Sequence, residues 1–245
     1  MTLTITASVE ELLAVATLVG SDAVPGVAPD TLSDDLRGMD SDRAVATLLD
    51  AGIVDGSGLV APFDLLFTVV FEPAMVISHT RMSGNAVETC LFYVTPAVAV
   101  EQRALEGTAR YEFSAFDSDD FVSRLAEVSG LAASPGEEVE SGVQLTLSAQ
   151  ALDAAIRGRS EALSEQLLLA PILGRANAAD LVSNAVAHEI SLVYVADETT
   201  HASSLAWLDG LGLGRWRIAR EESQAVLLTF ATRKAIGYTV LALLP

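Results

Sequence analysis

Histidines, a cysteine and clustered acids are the side chains from which a small reactive site is most readily built, and the chain offers few of them. Its three histidines, His79, His188 and His201, lie too far apart for spacing to join them. His188-Glu189 is followed by Ile190-Ser191-Leu192, so no second imidazole stands one turn on and the His-Glu-x-x-His zinc pattern fails. His79 shares one face of a predicted strand with Met75 and Ile77 and reads as a core or edge histidine rather than a ligand. Cys90 is the single cysteine, which excludes an intramolecular disulfide and a multi-cysteine zinc site. Its setting, Cys90-Leu91-Phe92-Tyr93-Val94, predicts a buried structural thiol. Asp117-Ser118-Asp119-Asp120 lacks the glycine and distal glutamate of an EF-hand loop and reads as the acidic start of a helix. No Gly-x-Ser-x-Gly elbow is present. No acid, base and oxyanion donor stand at recognisable spacing, so neither catalytic residues, nor a metal, nor a cofactor is expected.

Two segments need a closer weighing. Gly210-Leu211-Gly212-Leu213-Gly214 resembles a nucleotide loop, but the residues after it, Arg215-Trp216-Arg217-Ile218-Ala219-Arg220, read as a strand. A dinucleotide fingerprint needs a helix N-terminus there to meet the pyrophosphate, so a glycine-rich hairpin is predicted instead. Arg215, Trp216, Arg217 and Arg220 are also the densest cationic cluster in the chain. One reading puts the arginines on a solvated strand face with Trp216 turned to the core. The other makes the segment a partner anchor, because Trp and Arg are enriched where interfaces concentrate their energy.

The whole composition bears on that choice. The 245 residues carry 14 Lys+Arg against 33 Asp+Glu, a formal charge of −19, with 51% apolar and 19% charged residues, and Lys234 is the only lysine. A protein that tracks phosphates needs clustered cations to release counterions, so no nucleic acid partner is expected. Anionic membrane surfaces are disfavoured for the same reason. The longest apolar runs, such as Leu65 to Phe71 with Thr68 inside it, fall far below the roughly 18 residues of a spanning helix, so no membrane insertion is expected. The opening segment has no basic stretch and reaches Glu10 and Glu11 before a long apolar run develops, so a signal peptide is not expected and a cytoplasmic location is.

The elements follow from periodicity. Ser8 with Glu11 three residues on forms a capping box before Leu12, Leu13, Val15 and Leu18, and Gly20 ends that helix. Residues 21–40 read as a long surface loop. A second helix starts near Asp40 or Ser41, a turn follows at Asp55-Gly56-Ser57-Gly58, and a third helix runs from about Ala61 to Phe71. Beyond Pro73 the period falls to 2, with strands near Met75–His79, Cys90–Val94, Ala97–Gln102 and Arg110–Phe116, then a helix carrying Phe121, Val122, Leu125 and Val128. Residues 134–142 resemble a linker. Helices are expected over 148–169 and 178–187, then strands over 189–195, 204–208, 215–220 and 225–231, and a closing helix over 234–244.

A shift of 115 residues places Met75 on Ile190, Phe92 on Trp207, Tyr111 on Val226 and Phe121 on Ile236, carrying helix, strands and closing helix together. The expected fold is therefore α+β, with two pseudo-two-fold-related halves, 1–131 and 132–245, each helices plus an antiparallel sheet, joined in one compact body.

Ala51-Gly52-Ile53-Val54-Asp55-Gly56-Ser57-Gly58-Leu59-Val60, with the following helix and the strand entry Glu72-Pro73-Ala74-Met75, resembles the amino-terminal signature of the EspG-type chaperones of ESX (type VII) secretion. The stretch Leu208-Asp209-Gly210 to Trp216, then a strand and an apolar helix, resembles that family's ending. The segment Ser83 to Val87 is brief beside the family pattern. The resemblance implies a cytosolic α+β chaperone, not an enzyme, that binds helical secreted PE/PPE-type clients at an aggregation-prone tip and keeps them soluble, and it leaves a homo-oligomer open. The candidate contacts are Trp207, Arg215, Trp216, Arg217 and Ile218, with the helices between 150 and 180. The alternative is a small-molecule binder or enzyme using a cavity between the halves, anchored by His79, His188 or Arg217. A third reading, a winged-helix regulator suggested by the helix, helix, strand order of 42–79, meets the acidity as an obstacle.

Overall fold

Ser8 closes a strand and opens a helix. Strand β1 (Leu3–Ser8) runs directly into α1 (Val9–Val19). The Ser8 hydroxyl accepts from the Glu11 N–H at 3.2 Å while Glu11 Oε2 accepts from the Ser8 N–H at 2.7 Å. Two otherwise unpaired helix-start donors are thereby satisfied in one exchange. Gly20, at φ 74°, ends the helix with its N–H on the carbonyls of Ala16 and Thr17.

The computed structural model describes residues 3–27, 41–131, 144–148, 152, 186–210, 214–220 and 225–245. After α1 come α2 (Ser41–Asp50), the short pair β2 (Val54–Asp55) and β3 (Gly58–Leu59), and α3 (Phe63–Phe71). Then follow β4 (Met75–Ser83), β5 (Ala86–Val94), β6 (Val98–Ala104) and β7 (Arg110–Asp117). One 3-10 turn, Ser118–Asp120, leads into α4 (Phe121–Val128). The remaining elements are β8 (Gln144–Ser148), β9 (Val186–Ala196), β10 (Thr199–Gly210), β11 (Gly214–Arg220), β12 (Ala225–Ala231) and α5 (Arg233–Leu241). The fold is α+β. Apart from the β2–β3 pair, the strands form a sheet in the order β1-β7-β6-β5-β4-β9-β10-β11-β12-β8.

The chain forms two compact units, and β4, β5, β9 and β10 contribute to both. The first unit comprises Met1–Ile77, Cys90–Phe121 and Tyr194–Thr200. Here α1 and α3 bury Leu12, Val15, Leu66 and Phe67 with Val100 and Phe113 of the sheet, and the rings of Phe67 and Phe113 lie 6.0 Å apart. The segment expected as surface loop departs from that reading within its described part: Val24 and Val27 are buried. Gln102 holds it in place, donating to the Pro25 carbonyl at 3.5 Å and accepting from the Tyr93 hydroxyl at 2.6 Å. Gly26, at φ 73°, passes so close to that carboxamide that any Cβ would collide with it. Cys90 is buried as expected, and burial, then the Glu101 carboxylate, push its thiol up to about 12.

The second unit comprises Ser78–Thr89, Val122–Val193 and His201–Pro245. Within it β10, β11, β12 and β8 pair antiparallel in succession. Thr232 caps α5, accepting from the Ala235 N–H at 3.0 Å, and the helix buries Ile236 and Val240. Two strands of the large sheet, β1 and β8, were not anticipated from the sequence, nor was the short β2–β3 pair that flanks the expected turn at Asp55–Gly58. Ser148, read as a helix start, belongs to β8, and Val186 and Ala187, read as a helix end, begin β9. The rest of the helices expected over 148–169 and 178–187, apart from residue 152, and the linker expected over 134–142 lie outside the described residues.

The turn between β9 and β10 places Asp197 at φ 49° and Glu198 at φ 60°. Two successive left-handed residues are the signature of a type I′ hairpin, which suits Asn-Gly far better than Asp-Glu. Replacing Asp197-Glu198 with Asn-Gly is therefore expected to stabilise the protein by about 1 kcal/mol. Thermal unfolding should show a midpoint raised by roughly 2–4 °C.

Candidate partner-binding face

Strands β10 and β11 pair with Trp207 opposite Arg217, Leu208 opposite Trp216 and Asp209 opposite Arg215. Opposed residues share a face and successive ones alternate. Trp207, Asp209, Arg215 and Arg217 therefore stand on one face, and Leu208, Trp216 and Ile218 on the other.

Both faces are covered at the start of β11. Trp216 is buried with its ring edge-on to Phe230 at 5.3 Å, the residue β12 sets opposite it. On the other face Trp207 is fully buried in a stack of flat rings: His188 lies 4.9 Å away at an interplanar angle of 2°, and His79 lies 6.1 Å away at 17°. His79 Nε2 and His188 Nδ1 are 3.1 Å apart.

A charged group on that buried face needs partners. Arg215 has Nε 2.8 Å from Asp209 Oδ1, and its Nη2 donates to Asp209 Oδ2 at 3.3 Å and to the Gly130 carbonyl at 3.2 Å. Gly130, at φ 68°, follows the end of α4, where unpaired carbonyls attract a cation. The other side of Asp209 faces His188, whose Nε2 is 3.6 Å from Oδ2. Burial, then His79, then Arg81 and Arg215, push the His188 imidazole down to about 3, so the ring is neutral near pH 7.

The structure thus sorts the five candidate contacts. Trp207, Arg215 and Trp216 are interior and brace the strand pair, Ile218 is half-buried, and Arg217 is exposed. Among the described residues Arg217 has no ion-pair partner, whereas Arg81, Arg103, Arg110, Arg124 and Arg215 each have one. Of the alternative anchors, His79 and His188 meet inside the second unit. Asp209 escaped the sequence reading, although its place on the far side of the Gly210–Gly214 hairpin from Arg215 was a readable signal. Among the described residues no group of three His, Cys, Asp or Glu side chains is placed to hold a metal ion, and no helix is long and apolar enough to cross a membrane.

Removing one partner of a mostly buried ion pair strands the other. Arg215→Met is expected to cost on the order of 2–3 kcal/mol, below the fully buried range because Asp209 keeps partial solvent access. Asp209→Asn should cost less, because the Gly130 carbonyl still receives the guanidinium. Urea unfolding of both variants and the double variant will show non-additive losses if the pair acts as one unit.

No protein-family model matches the chain, and no curated protein sequence matches it. Among solved structures the chain shares its fold with the Mycobacterium tuberculosis type VII secretion system chaperone EspG5, solved in complex with a PE25-PPE41 dimer. The TM-score is 0.60 at 15% identity, over 99% of this chain and 97% of that one. The EspG resemblance read from residues 51–75 and 208–216 is thereby met in the fold.

Proposed function

We propose that the chain is a chaperone of type VII secretion that binds a helical secreted client of the PE/PPE kind in the cytoplasm and keeps it soluble, and that it is not an enzyme. The observation that carries this reading is the fold shared with EspG5 along nearly the whole of both chains, a protein solved with a PE-PPE dimer bound. Arg217 adds local support. It is an exposed cation in a chain of formal charge −19, without an ion-pair partner among the described residues. Such a residue suits a partner that presents an acid. In this reading Trp207, Arg215 and Trp216 serve the face from beneath by fixing its strand.

The chain is further read as a duplicated unit with halves at 1–131 and 132–245. The sheet order supports this, running β1-β7-β6-β5-β4 from one edge and β8-β12-β11-β10-β9 from the other.

Co-expression with a neighbouring PE/PPE-like pair should yield a soluble complex that co-purifies at defined stoichiometry. Arg217→Glu is expected to weaken it about tenfold, roughly 1.4 kcal/mol, with Arg217→Lys between the two, as titration calorimetry would measure. Repeated recovery of the folded chain alone would overturn the chaperone reading. A complex indifferent to Arg217→Glu would move the contact elsewhere on the protein.

A further inference from the structure

The second unit places two imidazoles nitrogen to nitrogen in its interior. His79 on β4 and His188 on β9 are 109 residues apart in sequence, are 3% and 6% exposed, and share a 3.1 Å contact between Nε2 and Nδ1. A hydrogen bond there needs one N–H and one lone pair. Asp209 Oδ2 lies 3.6 Å from His188 Nε2, beyond hydrogen-bond length, and its charge favours a proton on that nitrogen. In that tautomer Nδ1 of His188 accepts and His79 Nε2–H donates to it.

We propose that this pair is an acid-sensitive latch: with both imidazoles neutral it packs β4 and β9 together under the Trp207 ring, and a proton added to the buried pair destabilises that packing and opens the β9–β10–β11 part of the sheet. A proton on Nδ1 removes the lone pair that bond depends on; the contact then survives only if His79 shifts its own proton to Nδ1 and accepts, and in either case a cation is left where the two rings are 3% and 6% exposed. The charges packed around His188 do little to accept that proton. Arg81 from β4 and Arg215 from β11 oppose it, together with His79. Asp209 from β10 favours it, but that carboxylate already receives the Arg215 guanidinium at 2.8 and 3.3 Å. The face of Trp207 attracts an imidazolium and offsets part of the cost. Glu189 follows His188 on β9, and strand alternation sends it to the opposite face.

The direction of the pH effect follows. In the opened state His188 titrates near the ordinary histidine value of about 6.5, and in the closed state well below it. Between those values the opened state holds more protons, so the latch is fully closed above about pH 6.5 and weakens as pH falls. One imidazole excluded from its proton raises the opening equilibrium about tenfold per pH unit through that window. Arg217 and Ile218 follow Arg215 on the same strand, so opening dismantles the proposed partner face. That use, partner release in acid, rests on the chaperone reading; the latch itself does not.

Hydrogen–deuterium exchange of the full chain from pH 7.5 to 5, corrected for the intrinsic pH dependence, tests it. Peptides from β9, β10 and β11 should open about tenfold more per pH unit below pH 6.5, while β6 and β7 peptides stay flat, and His188→Gln should flatten the β9–β11 profile. If His188→Gln fails to fold, nitrogen-15 NMR of the wild-type imidazoles decides. A neutral His188 carrying its proton on Nε2 at pH 6, where free histidine in the same buffer is largely charged, supports the latch. A charged His188 at that pH, or a wild-type β9–β11 profile no steeper than that of β6–β7, overturns it. A complex with a PE/PPE-like pair that survives at pH 5 while the exchange slope is present leaves the latch and removes its use in release. A slope with no complex at any pH leaves the latch and removes the chaperone reading.

Discussion

The contact between Asp209 and Arg215 makes strand register in the second unit a matter of charge. Both faces of the sheet are covered where β10 meets β11, with Trp207 and Leu208 buried on opposite sides and Arg215 and Trp216 likewise. A slip of one residue would exchange the faces of every side chain on β11. Apolar residues alone tolerate that exchange poorly, but a guanidinium does not tolerate it at all. Arg215 would lose its directly opposed carboxylate and the Gly130 carbonyl together and leave an unpaired charge inside. The ion pair adds little net stability against apolar replacements of equal volume, and its effect is to make one pairing far better than its neighbours.

The first unit reaches the same end by a different device. There β1 passes into α1 without a loop, so the capping box at Ser8 sets where extended backbone stops and helix begins. Glu11, which closes the box, lies 3.4 Å from Arg110 of β7, and Arg110 is directly opposite Ser8 in the β1–β7 ladder. Helix start and strand register are thus held by one carboxylate. Arg110 is substantially exposed, so the ion pair itself contributes little. What it fixes is the placement of α1 over the sheet, on which the burial of Leu12 and Val15 depends.

Local signals were legible in the sequence and long-range ones were not. Ser8, Glu11 and Gly20 mark their helix within a few residues of each other, and the period-2 runs from Met75 to Phe116 and from Glu189 to Ala231 carry their strands openly. Strand β1 was written just as clearly in the alternation Leu3-Thr4-Ile5-Thr6, but six residues beside a strong helix signal are easily absorbed into its approach. Gln144-Leu145-Thr146-Leu147-Ser148 alternates too, and it was lost between glycine-rich and helix-like neighbours. The ring stack could not be read at all. It depends on β4 neighbouring β9, and nothing local in either strand specifies the other. The arginine cluster was half legible: alternation put Trp216 on the face away from Arg215 and Arg217, but only the register shows that one arginine is neutralised inside and the other is not.

That difference between Arg215 and Arg217 bears on the acidity of the chain. A formal charge of −19 gives a repulsive surface that keeps an apolar-rich protein dispersed, and it gives every exposed cation a scarcity value. Arg215 is held by Asp209 two positions before Arg217 on the same face, where the cover over the sheet gives way to solvent. Arg217 therefore stands on a strand whose register its neighbour fixes, with no ion-pair partner of its own among the described residues. A flexible surface arginine would lose side-chain and backbone freedom on meeting a partner, whereas a cation mounted on a braced strand has already lost much of it on folding. The buried aromatic and ionic contacts and the exposed one are in this sense a single arrangement, in which the interior holds the exposed Arg217 in place.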